Sequence, residues 1–155
     1  MRANVTTVPR PSGPDSTRQR DDSERIIEDQ TARYEDRQDD ALSGLRLQKE
    51  LAVEMKAALL QRRLNDFADL LNSAWEAKKR MSTKITNPMI DEMYEEARRC
   101  GALGGKVTGA GGGGFMLFYC DYRAKHRVAE ALVGLGARVD EFAFEHEGVR
   151  TWRAT

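Results

Sequence analysis

Eight of the thirteen glycines fall between Gly101 and Gly114, and the densest stretch reads Lys106-Val107-Thr108-Gly109-Ala110-Gly111-Gly112-Gly113-Gly114-Phe115. Four consecutive glycines lose more chain entropy on ordering than any other residues would, so a fold that orders them needs positive φ angles or a ligand pressed against bare backbone. No turn type requires four adjacent glycines. Successive amide N–H groups in such a run can form a concave anion nest, and a lysine at its edge adds charge for a phosphate. The chemistry this stretch suggests is phosphate or oxyanion recognition by backbone.

Two phosphate motifs fail on spacing or context. Gly109, Gly111 and Gly114 satisfy Gly-x-Gly-x-x-Gly, but the dinucleotide fingerprint opens into a helix, and the residues after this loop, Phe115 to Tyr119, read as an apolar strand. A Walker A loop through Gly105 and Lys106 needs glycine at position 100 and Ser or Thr at 107, where Cys100 and Val107 stand.

The elements that must position the loop are helices before it and strands after it. Apolar residues at helical spacing predict a helix over residues 23–39 capped by Ser23, a second over 40–63, a third capped by Asn65 that ends near Arg80, and a fourth opened by Asn87-Pro88 that stops at Gly101. The stripe Leu42, Leu45, Ala52, Met55, Leu59 and Leu60 is expected to be core for the second helix. Lys78 and Lys79 are accounted for by the negative end of the third. After Gly101 the period changes: residues 105–108 and a fully buried 115–120 read as strands, and 124–135 as a helix with Gly136 as its C-cap. Residues 138–144 and 149–152 read as a terminal hairpin. Helices followed by an antiparallel sheet make the class α+β. Residues 1–19 carry three of the four prolines and few large apolar groups, so they are expected to be a disordered tail before one domain over 20–155.

Charge balances at 25 basic and 25 acidic residues, which leaves no net field to steer the chain toward nucleic acid or an anionic membrane. Cys100 and Cys120 lack metal-ligand spacing and read as reduced, buried thiols; no metal site is expected. His126 and His146 are expected at the surface, the acidic run from Glu28 to Asp40 on a solvated helix face, and Trp75 and Trp152 in packing roles. The polar N-terminus and the absence of a long apolar run suggest a cytoplasmic protein.

The run from Lys106 to Gly114 resembles the third conserved motif of the GHMP kinases, the family of galactokinase, homoserine kinase and mevalonate kinase. Its flanks, Gly101-Ala102-Leu103-Gly104-Gly105 and Phe115-Met116-Leu117-Phe118-Tyr119, are similar to the heptose kinase branch. So are Ser23-Glu24-Arg25-Ile26-Ile27-Glu28-Asp29-Gln30, Asn87-Pro88-Met89-Ile90-Asp91, Gly136-Ala137-Arg138-Val139 and Gly148-Val149-Arg150. The resemblance covers residues 20–153. It implies the family's C-terminal domain, a ferredoxin-like antiparallel sheet packed against helices. It also implies ATP-dependent phosphorylation of D-glycero-D-manno-heptose 7-phosphate at its anomeric hydroxyl, toward surface polysaccharide; related fucose kinase domains share much of the pattern. By position, Thr108, Gly109, Ala110, Gly111, Gly112, Gly113 and Gly114 fall at the substrate and phosphate site, with Lys106 at its edge.

Complete family members also have a glycine- and serine-rich ATP loop and an acidic residue that activates the hydroxyl, and the resemblance finds neither here. ATP and Mg²⁺ are therefore expected in the complete enzyme and not as tight ligands of these residues. No catalytic residue is assigned to the chain, one sheet edge is expected to be missing, and the fragment is expected to be inactive; a truncated or mis-assigned start is the favoured account of the missing half, over a separate N-terminal kinase domain that docks. The competing expectation is a non-catalytic anion-binding or interaction module derived from such a kinase.

Overall fold

The computed structural model describes residues 3–8, 16–140, 142 and 147–152, with side-chain surroundings from residue 23 onward. Its elements are β1 (Ala3–Val8), α1 (Ser16–Glu35), α2 (Asp39–Leu60), α3 (Leu64–Met81), α4 (Pro88–Arg99), β2 (Ala102–Val107), β3 (Gly114–Cys120), α5 (Lys125–Gly134) and β4 (Arg138–Asp140). The class is α+β, as expected. The four strands form one antiparallel sheet in the order β2-β3-β1-β4.

The tail expected to lack structure therefore holds a strand. β1 runs between β3 and β4, with Val5 opposite Leu117 on one side and Asp140 on the other. The signal was the run Val5-Thr6-Thr7-Val8, β-branched throughout, which three nearby prolines obscured. The strand expected to be missing from one edge is present and lies inside the sheet, and β4 pairs with β1 instead of forming a hairpin with residues 149–152, which carry no strand. Trp152, expected to pack, is 85% exposed. α1 starts at Ser16, so Ser23 is not its cap.

The main core lies between the sheet and the helices. Trp75 of α3, Ile90, Met93 and Tyr94 of α4, Val128 and Leu132 of α5 meet Val107, Met116 and Phe118 of the sheet, all buried. Each such side chain contributes roughly 1.5–3 kcal/mol by leaving water. Strand β3 alternates instead of being buried on both faces: Met116, Phe118 and Cys120 point into this core, while Phe115 is 44% exposed. Asn72 of α3 ties three elements together. It donates to the Leu103 carbonyl at 2.9 Å and accepts from the Tyr94 hydroxyl at 2.5 Å and the Gly105 amide at 3.3 Å.

Helix α2 packs on α3 through small residues. A Cβ at Gly44 would lie 2.7 Å from the Ala77 carbonyl oxygen, and Ala41, Leu51 and Ala58 line the same buried face. The stripe expected to be core is turned partly outward, with Leu45 and Leu59 about 40% exposed and Leu60 75% exposed. The close approach of two backbones selected the small side chains, and apolar periodicity alone chose the large ones. α2 ends at Leu60 because Arg62 adopts a left-handed conformation, φ 58°. α3 begins at Leu64, so Asn65 lies within it.

Candidate functional site

The glycine-rich loop connects β2 to β3 and closes as a hairpin: the Thr108 amide donates to the Phe115 carbonyl at 2.9 Å and its hydroxyl to the same oxygen at 3.2 Å. Gly109 and Gly111 to Gly114 all have positive φ. That geometry is why side chains are excluded from so long a run.

One flank of the loop is fixed to the segment between α3 and α4. The Gly112 amide donates to the Ile85 carbonyl at 2.7 Å, and the Asn87 side-chain amide donates to the Gly112 carbonyl at 3.2 Å. Asn87 simultaneously caps α4, its side-chain oxygen accepting from the Ile90 amide at 3.0 Å, with Pro88 in the first helical position. A Cβ on Gly111 would sit 2.8 Å from the Ile85 carbonyl oxygen and 2.9 Å from its Cα. Ile26 of α1 lies against Gly112, and Gln30 donates to the Ala110 carbonyl at 3.5 Å. The segment under the loop is itself held to α1, where Asp29 lies 3.3 Å from Lys84 and 2.9 Å from Arg33. The Ser82 hydroxyl, then Lys84 and Arg33, hold the Asp29 carboxyl below its ordinary range despite some burial.

The other flank is open. A Cβ on Gly109 would meet nothing within 4 Å. The amides of Gly109 and Ala110 donate to no acceptor among the described residues and lie on the exposed part of the loop, whereas Gly111 is buried against Ile85.

Lys78, assigned beforehand only to the end of its helix, reaches this open flank and donates to the Gly109 carbonyl. Burial and the neighbouring charge of Lys106 push its ammonium down to about 8. Lys79 does keep a structural role, 2.8 Å from Glu76 and over the Trp75 ring. Lys106 is half-buried, and burial lowers its pKa too. Its side chain lies less at the loop than in a cleft of about 480 Å³ between α2 and α3, lined also by Gln48, Ala52, Met55, Leu59 and Phe67. This cleft is what the outward-turned residues of α2 wall.

The arrangement suits an oxyanion. The Gly109 and Ala110 amides and the Lys78 ammonium lie at the loop, with Lys106 in the adjoining cleft. Among the described residues no three His, Cys, Asp or Glu side chains converge on a possible metal position. These residues fit the phosphate groups of a nucleotide or ester. Cys100 and Cys120 are free and buried, with the Cys120 thiol pushed up to about 11 by burial, so neither is a nucleophile. His126 is exposed, as expected, whereas His146 lies outside the described residues. No helix of the described residues is long and apolar enough to cross a membrane.

Residues 55–137 match the family model described as GHMP kinases C terminal, more than half of the chain. The chain is 35% identical over 113 residues to D-glycero-alpha-D-manno-heptose 7-phosphate kinase of Campylobacter jejuni, covering 73% of this chain and 33% of that enzyme. It is 26% identical over 128 residues to the bifunctional fucokinase/GDP-fucose pyrophosphorylase of Arabidopsis thaliana, covering 83% of this chain and 12% of that protein. Among solved structures, the Lin0012 protein of Listeria innocua superposes with a TM-score of 0.77 at 14% identity, over 91% of this chain and 38% of that one. The chain thus spans a third or less of the curated relatives it matches.

Proposed function

This chain belongs to the GHMP kinases, supplying their C-terminal domain, and on that premise we propose that it is the substrate-side part of an ATP-dependent sugar kinase. The acceptor is D-glycero-D-manno-heptose 7-phosphate, and the group phosphorylated is its anomeric hydroxyl. The observation that carries this reading is the loop of Gly109 to Gly114, pinned on one flank by Ile85 and Asn87 and open on the other beside Lys78. The heptose assignment draws on the Campylobacter kinase, which is more similar to this chain than the Arabidopsis fucokinase is.

Phosphoryl transfer asks a protein mainly for position and charge stabilisation. ATP, bound by an N-terminal domain that packs over this one, supplies the phosphoryl group. This chain's part is a rigid wall of amides that orients the sugar phosphate, two ammonium groups that offset its negative charge, and apolar walls that exclude water. On this reading the ATP-binding groups belong to the N-terminal domain, and the 155 residues alone are expected not to turn over ATP.

The test is a fusion that places this chain behind the ATP-binding two-thirds of the Campylobacter kinase, in place of that enzyme's own C-terminal third. With ATP, the fusion phosphorylates heptose 7-phosphate in preference to fucose. A preference for fucose would reject the substrate assignment. Turnover by the 155 residues alone would reject the division of labour.

A further inference from the structure

Lys78 on α3 and Lys106 on β2 are both half-buried, and the Lys78 ammonium donates to the carbonyl of Gly109, three residues beyond Lys106 along the chain; burial, and after it the charge of Lys106, lowers the Lys78 pKa. Among the described residues neither is paired with a carboxylate. Lys79 and Lys84, by contrast, are paired, with Glu76 at 2.8 Å and Asp29 at 3.3 Å. Holding two desolvated cations together without a counter-charge costs free energy that a bound anion would recover. Lys78 already touches the loop, where the Gly109 and Ala110 amides have no protein acceptor among the described residues, and Lys106 opens onto the cleft walled by Ala52, Met55, Leu59 and Phe67.

We propose that Lys78 and Lys106 form the binding site for the phosphate ester the sugar already carries, with the sugar lying along the cleft toward the glycine loop. The charge match favours this ester over the nucleotide. A metal-free phosphate monoester is a dianion near neutral pH and needs two positive charges from the protein, whereas ATP brings a metal ion that neutralises much of its own. The identity of the ester rests on the kinase reading, and the anion site itself does not.

The experiment is calorimetric titration of the full chain with inorganic phosphate at pH 7.5, for the wild type, Lys78→Met, Lys106→Met, Lys78→Arg and the control Lys79→Met. Lys78→Met and Lys106→Met each weaken binding at least ten-fold, Lys78→Arg retains it within about three-fold, and Lys79→Met leaves it unchanged. Thermal melts establish that each variant is folded, and Lys106→Met decides the matter if Lys78→Met is not. Wild-type affinity in both methionine variants, or no saturable binding to the wild type, overturns the site. Sedoheptulose 7-phosphate and Mg²⁺-ATP form the other arms. Lysine-dependent binding of the sugar phosphate in preference to ATP supports the assignment, and the reverse preference overturns it. If the fusion enzyme proves inactive while phosphate binding still depends on both lysines, the kinase reading has failed and the anion site has not.

Discussion

Gly109 and Gly111 both have positive φ, 75° and 119°, yet their surroundings differ, so the pair separates backbone strain from packing. At Gly109 an alanine meets open space and adds only the left-handed penalty of about 1 kcal/mol, part of which the stiffer unfolded chain offsets. At Gly111 the same methyl would lie 2.8 Å from the Ile85 carbonyl oxygen and 2.9 Å from its Cα, both main-chain atoms that cannot rotate away. The loop must lift by several tenths of an ångström, which stretches the 2.7 Å bond from the Gly112 amide to the same carbonyl. That bond is worth roughly 0.5–1.5 kcal/mol and the strain about 1–2 kcal/mol more. Gly111→Ala should therefore cost about 1.5–3.5 kcal/mol and Gly109→Ala about 1 kcal/mol or less. Urea unfolding followed by circular dichroism measures both. Equal losses in the two variants would mean that the loop is not seated on Ile85, and the reasoning would be wrong.

Asn87→Ala removes both the α4 cap and the donor to Gly112, and should cost about 2 kcal/mol in the same assay; a loss below 0.5 kcal/mol would contradict the double role. Arg62→Gly should stabilise the chain by about 1 kcal/mol, because a left-handed position after α2 suits glycine, and a lower urea midpoint would refute this. Lys78 titrates near 8 in the folded chain against 10.5 ordinarily, so the unfolded chain binds more protons across that window and folding stability rises with pH through it. Lys106 is the charged group acting on Lys78 and is shifted in the same direction. Wild type should therefore gain stability relative to Lys78→Met between about pH 8 and 10.5, and a flat difference would show that Lys78 is not desolvated.

Much of this was legible in the sequence where one local rule governed the outcome. Asn87-Pro88 opens α4, and the glycine run marks the loop, because caps and positive φ act on single residues. What the sequence concealed depended on contacts distant along the chain. The face of α2 was misjudged because Gly44 and Ala77 set the helix separation, which apolar spacing does not report. β1 was missed because its partners, β3 and β4, lie more than a hundred residues away. Lys78 reads as a helix-end cation until the fold brings Gly109 to it; the local sequence offers Glu76 as an i,i+3 partner to Lys79 and nothing that points Lys78 to the loop.

The central claim, that this loop and its open flank face a sugar phosphate, is tested most directly by titrating ¹⁵N-labelled chain with D-glycero-D-manno-heptose 7-phosphate and following the amide resonances. Saturable shifts centred on Gly109 and Ala110 and extending to Lys78 and Lys106 are expected, with Gly112 moving less because its amide is held by Ile85. Shifts confined to the outer face of α4 or α5, or none at millimolar ligand, would contradict it.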